Sequence, residues 1–230
     1  MVGVALAGLA VAGLATAPAT AVPGRAAPER VQDEGTFAAC PTRAHLPEGA
    51  DPAQWRCEVA TATGSLKVGR LKVPLDAPLT ITHAEGRIDG EFHQVFGGLA
   101  AAPARAPGTP LRVDLRYGGS FDFHSDDERV GELALILGLD SGHAPVRLPR
   151  GCAIGSADAP VQLTLTGVSA PEPGRLPAME DRRFAAPRTS HCGRLGPLLD
   201  RALELPASPG DNRIRLQNET RSIRPYTELP

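Results

Sequence analysis

The chain has 230 residues, with 24 basic and 26 acidic side chains and a formal net charge of −2. Neither sign forms a block, so neither nucleic acid nor anionic lipid is expected as a partner. Aromatic residues make up only 4% and Trp55 is the sole tryptophan, which removes the stacking platforms that hold single-stranded nucleic acids and weakens a sugar-binding reading in the same way.

An uncharged apolar run from Val2 to Ala15 leads into Ala19-Thr20-Ala21. This small-x-small sequence after an apolar stretch is the pattern of a secretory signal over residues 1–21, with Val22 opening the mature chain. The pattern departs from the usual one in having no Lys or Arg before the run. The run is shorter than the ~20 residues a bilayer needs and is broken by Pro18, so no transmembrane anchor is expected once the signal is cut. The expected location is extracellular. Residues 22–39, with Pro23, Pro28 and mixed charges, read as a flexible leader. One domain then runs over 40–230, with Ala101 to Pro110 as a connector between halves 40–102 and 111–230.

The four cysteines, Cys40, Cys57, Cys152 and Cys192, show no CxxC spacing. In an exported chain they read as two disulfides rather than a metal or redox site. Of the three pairings, Cys40–Cys57 with Cys152–Cys192 is favoured, because each bridge closes a loop within one half. Each would stabilise the fold by about 3–4 kcal/mol on loop entropy. Inside the first loop, Asp51 as N-cap and Pro52 at the first helical position predict a helical turn that carries Trp55 towards Cys57.

From Cys57 onward the apolar residues recur with period two. Leu66 and Val68 share one parity and Leu71, Val73 and Leu75 the other, which predicts a bulge or tight turn near Gly69. Leu79, Ile81 and His83 continue the pattern, followed by Phe92 to Phe96, then Leu111 to Tyr117. Leu133 to Leu139 is more apolar and should lie centrally; Val161 to Leu165 and Ile214 with Leu216 complete the set. Short strands separated by Gly/Pro turns predict an all-β, antiparallel β-sandwich, stapled by disulfides. One short C-terminal helix is expected, opened by Gly196-Pro197, striped by Leu198, Leu199, Ala202 and Leu203, and stopped before Pro206. A faint echo links Asp76-Ala77-Pro78-Leu79 to Asp158-Ala159-Pro160-Val161.

Two blocks carry a resemblance. They are Cys40 to Cys57, with Leu46-Pro47-Glu48-Gly49-Ala50-Asp51-Pro52, and His83-Ala84-Glu85-Gly86 to Gln94-Val95-Phe96-Gly97. In them the chain resembles uncharacterised secreted proteins of actinobacteria. The resemblance implies export from a Gram-positive cell and assigns no activity, ligand or catalytic residue.

Two polar clusters are candidate sites. In the first, His83 and Glu85 share one strand face, and Asp89, Glu91 and His93 share a face of the next strand. If Gly86 to Gly90 is a hairpin loop, these groups converge at its mouth as ligands for Ca²⁺ or a transition metal. The parity of His83, however, matches Leu79 and Ile81 and points to a core histidine. The second cluster is Asp122, His124, Asp126, Asp127 and Glu128, in which Phe121 and Phe123 anchor one face while Asp122 and His124 turn away. Paired carboxylates there would suit acid/base work.

Other chemistry finds less support. Ser156 and Ser190 lie outside a Gly-x-Ser-x-Gly elbow, and Gly97-Gly98 and Gly118-Gly119 lack the lysine and the strand-to-helix setting of a phosphate loop. The expectation is therefore a secreted, non-enzymatic binding or envelope-associated protein whose partner is a protein or a cell-envelope component. The alternative is a secreted hydrolase or a calcium-binding module built on residues 83–93 and 122–128. No cofactor other than that Ca²⁺ is expected.

Overall fold

The computed structural model describes residues 36–124, 129–142, 146–168 and 177–229; the expected signal over 1–21, residues 22–35 of the expected leader, and Asp126 to Glu128 lie outside them. Among the described residues the strands are β1 (Trp55–Val68), β2 (Leu71–Ile88), β3 (Glu91–Ala100), β4 (Ala104–Arg105), β5 (Arg112–Asp122) and β6 (Gly131–Asp140). They continue as β7 (Ala153–Ile154), β8 (Val161–Gly167), β9 (Ala178–Asp181), β10 (Thr189–Ser190) and β11 (Arg213–Pro225). One helix, α1 (Gly196–Leu203), follows β10. The chain is all-β and antiparallel with one short C-terminal helix, as its alternation and turn residues require.

The strands hydrogen-bond along one path, β10-β7-β6-β8-β9-β11-β1-β2-β3, with β5 on β6 and β4 on β5. The part containing β1, β2 and β11 and the part containing β5, β6 and β8 share a single core. Leu66, Leu71, Leu79 and Ile214 enter it from the first, and Val113, Leu135, Leu137 and Leu163 from the second. The ladder joining them is short, Thr166 opposite Glu180 and Gly167 opposite Met179. These two parts do not follow the sequence halves, because β11 returns from the C-terminus to pair with β1 along its length. β6 is central, bonded to β5, β7 and β8.

β1 and β2 explain how the core is filled. Leu66 lies opposite Val73 and Val68 opposite Leu71, so even positions of β1 and odd positions of β2 share the inward face. The parity change seen in the sequence is a tight turn, with Gly69 at φ +53°. A register shift between Ala62 and Gly64 absorbs Asp76-Ala77-Pro78, all exposed, and lets the odd parity resume at Leu79. The echoed Asp158-Ala159-Pro160 similarly precedes a buried residue, Val161.

The opposite face of β1 and β2 carries a second, smaller core of Phe37, Trp55, Cys57, Val59, Ala84, Tyr226 and Leu229. The Cys40–Cys57 disulfide ties the incoming segment to it, and Cys152–Cys192 forms the other bridge. The last leader residues therefore differ from the expected flexible segment: Phe37 is buried and the Arg224 guanidinium stands over its ring. Pro52–Gln54 forms one 3-10 turn, capped by Asp51 accepting from the Ala53 amide. Trp55 lies flat against Gly86, where a Cβ would stand 2.5 Å from the indole ring. Tyr226 donates its hydroxyl to the Pro41 carbonyl at 2.6 Å.

The helix packs differently from its expected stripe. Gly196, Asp200 and Leu203 are buried, whereas Leu198 and Ala202 are exposed. The reason is Asp200, whose carboxylate accepts from both the Thr189 amide and the Thr189 hydroxyl. Anchoring that residue inward fixes the i, i+3, i+4, i+7 face and turns Leu198 to solvent. No helix among the described residues is long and apolar enough to cross a membrane.

Candidate functional site

The inward face of the β1–β2–β11 ribbon does not end with the apolar core. Continuing from Ala62 along the same parity come Ala60 and Glu58 on β1. Ile81, His83 and Glu85 follow on β2, and Asn218 and Arg221 on β11. Together with Phe123, Val130, Leu165 and Met179 they line a cavity of about 210 Å³. Its body is carbon and one end is charged.

That end is built by the ladder. Glu58 lies directly opposite His83, and Arg56 opposite Glu85. Glu58, His83 and Glu85 are all buried, and one ligand atom from each lies within 4.8 Å of the others. Two arginines reach in from solvent. Arg221 grips Glu58 with two bonds of 2.7 Å, and Arg56 donates to Glu85 at 2.7 Å. The guanidinium-bearing side chains are 51% and 52% exposed against 9% and 8% for their carboxylate partners. Burying two carboxylates is tolerable only because each is paired. The His83 imidazole and the Arg56 guanidinium hold Glu85 down to about 2, against the opposing effect of burial, so it is ionised at neutral pH.

His83 is the exception in this balanced network. It is 3% exposed, its Nε2 stands 3.5 Å from Glu85 Oε2, and neither ring nitrogen has a hydrogen-bond partner among the described residues. Its ring instead meets Phe123 and Phe121, with centroids 5.3 and 6.1 Å away.

Those rings belong to an aromatic row across a seam between β3 and β5. Phe96 stacks on Tyr117 at 3.7 Å and touches Phe121 at 5.3 Å; Phe121 in turn touches Phe123 at 5.6 Å. Among the described residues the only ladder partner of β3 is β2, and a side chain bridges the seam where Gln94 Oε1 accepts from the Phe123 amide at 2.9 Å. A chain poor in aromatics thus concentrates four of its six phenylalanines, Phe92, Phe96, Phe121 and Phe123, around this seam.

The sequence candidates divide accordingly. His83 and Glu85 come together, as their parity requires. Asp89, Glu91 and His93 do not join them. β2 runs on to Ile88 and the turn is only Asp89-Gly90, so no wide loop mouth exists at Gly86 to Gly90. Register then places His93 opposite Gly86 and Glu91 opposite Ile88, on the face opposite to Glu85. Asp89 and Glu91 are exposed and His93 is half-buried. In the second cluster Asp122 pairs with Arg129 at 2.8 Å and accepts from the His124 amide. His124 is exposed and lies against the Phe92 ring, 4.8 Å between centroids. Asp126 lies outside the described residues. Among the described residues the two segments meet in space through their rings, His83 on Phe123 and Phe92 on His124.

Glu58, Arg56 and Arg221 escaped the sequence reading. The signal for Glu58 was present: extending the even parity of Leu66 and Val68 back through Ala62 puts it inside. No protein-family model, curated protein or solved structure matches this chain.

Proposed function

We propose that this is an exported, non-enzymatic binding protein and that its binding region is the cavity that Glu58, His83 and Arg221 line together with Phe123, Leu165 and Met179. The observation that carries the reading is the cavity itself, apolar along its body and charged at one end. Apolar walls with few polar groups at fixed positions are the usual construction of a small-ligand site. A cavity of about 210 Å³ accommodates a small molecule or a single apolar group presented by an envelope or protein partner. Two disulfides suit a protein working in an oxidising exterior.

Calorimetric titration with indole and with octanoate tests the site, using Met179→Phe to narrow the cavity at its β9 wall. Binding by the natural sequence that Met179→Phe weakens is the expected result. If neither compound binds and Met179→Phe simply raises the unfolding temperature, the cavity is a packing defect and the reading fails. Export has its own check: N-terminal sequencing of protein recovered from culture medium should begin at Val22, and retention of Met1 would overturn it.

A further inference from the structure

We propose that Glu58, His83 and Glu85 form a binding site for a zinc-type transition-metal dication, which enters by displacing the Arg56 and Arg221 guanidiniums from the two carboxylates. The proposal does not rest on the organic-ligand reading above.

Three observations carry it. The first is the donor set: one imidazole and two carboxylates, all buried, with ligand atoms within 4.8 Å of one another. A tetrahedral site with bonds of about 2.1 Å places its donors about 3.4 Å apart, so donors now within 4.8 Å of one another need a contraction of at most about 1.4 Å and no change of fold. The backbone already fixes the arrangement. Glu58 and His83 are direct cross-strand partners, and Glu85 follows His83 by two residues on the same face.

The second is the unpaired histidine. Nδ1 of this buried imidazole has no hydrogen-bond partner among the described residues and Nε2 has only the long 3.5 Å approach to Glu85, an arrangement costly to keep in a core. Metal coordination satisfies one nitrogen, and that choice selects among ions. Imidazole with carboxylates suits zinc and its neighbours, whereas calcium and magnesium take oxygen ligands. Of the two ion classes that the sequence pattern admits, Ca²⁺ and a transition metal, this donor set suits the second, on a ligand set that keeps His83 and Glu85 and adds Glu58.

The third is the position of the arginines. Both carboxylates are charge-compensated now, which would exclude a dication if the compensating groups were trapped. They are not, since both arginine side chains are about half exposed, at 52% and 51%, and can withdraw their heads into water. The arginines act as counter-ions that hold the metal-free cluster together and compete with the metal. Three protein ligands leave a coordination position, as at zinc sites that bind an exchangeable ligand.

The test is a titration of the chelator-treated full chain with ZnCl₂, followed by calorimetry and thermal unfolding, with CaCl₂ in parallel. One equivalent of zinc should bind and raise the unfolding temperature, while calcium does neither. Co²⁺ in place of zinc should give a visible absorption band. His83→Phe, which keeps an aromatic ring beside Phe123, should lose zinc binding and the cobalt band. Arg221→Gln should tighten zinc binding about tenfold by removing the competing charge, a gain that no merely structural role for Arg221 would produce. Zinc binding retained in His83→Phe, zinc binding weakened by Arg221→Gln, or a response to calcium alone would each overturn the proposal. Should His83→Phe not fold, the Arg221→Gln arm decides alone. The two readings fail separately: zinc binding without indole or octanoate binding would overturn the organic-ligand reading alone, and the reverse would overturn the metal site alone.

Discussion

The two ends of the β1–β2 ribbon present the same face of the same strands to the interior, yet one end is carbon and the other is charge. At one end Leu66, Val68, Leu71 and Val73 meet the leucines of β6 and β8 in a sealed core. At the other, Glu58, His83 and Glu85 occupy equivalent pleat positions with nearly equal burial. Parity decides only that a side chain points inward. What it meets is decided by what packs against it: the leucines of β6 and β8 over the first end, and Phe121, Phe123 and the cavity over the second. A face that costs nothing to bury at one end must therefore recruit two arginines at the other.

The largest expected effect lies at the carbon end. Leu71→Ala should destabilise the protein by about 3–4 kcal/mol in urea unfolding, since it removes a fully buried side chain and leaves a cavity. A loss below about 1 kcal/mol would mean that this end can collapse and is not the rigid partner the comparison makes it. The small core on the opposite face comes next. Replacing Cys40 and Cys57 together by Ala should cost about 3 kcal/mol by loop entropy and loosen Phe37 and Tyr226 while leaving the carbon end intact. Hydrogen exchange resolves the two: protection lost equally in β6 would join the cores into one cooperative unit.

The smallest effect is absent at neutral pH. Burial pushes the Tyr226 phenol from the ordinary 10.0 up to about 12. The folded state thus keeps a proton that the unfolded state has released, and stability falls as pH rises from about 10 to about 12, remaining whole below that window. Tyr226→Phe should abolish this alkaline loss, read from unfolding temperatures across that range. An unchanged profile would place the titrating group elsewhere.

Much of this was legible in the residues. The alternation of Leu66, Val68, Leu71 and Val73 contains the hairpin and its turn, Asp51-Pro52 contains the cap, and the cysteine spacing contains the bridges. The site was half legible. His83 declared itself inward by parity with Ile81, and Glu85 followed. Arg221 could not be read, because its approach to Glu58 depends on β11 returning across 163 residues to pair with β1. Asp89, Glu91 and His93 look like ligands in the string and fail in space because a two-residue turn, rather than an open loop, reverses the chain. The helix misled in a related way: Leu198 fits an apolar stripe, but one buried aspartate rotates it outward.

The seam between β3 and β5 bears on solubility as well. A terminal strand of a sheet carries a row of unsatisfied amides and carbonyls that invites the strand of another molecule. β3 is such a strand, ten residues long, and it ends the hydrogen-bonded path. The Phe96–Tyr117 stack and the Gln94–Phe123 bond stand across its side facing β5, so an intruding strand would first have to part rings already in contact. The chain guards its own edge against intermolecular pairing with side chains, where many β proteins rely on an added strand, a proline or a lysine.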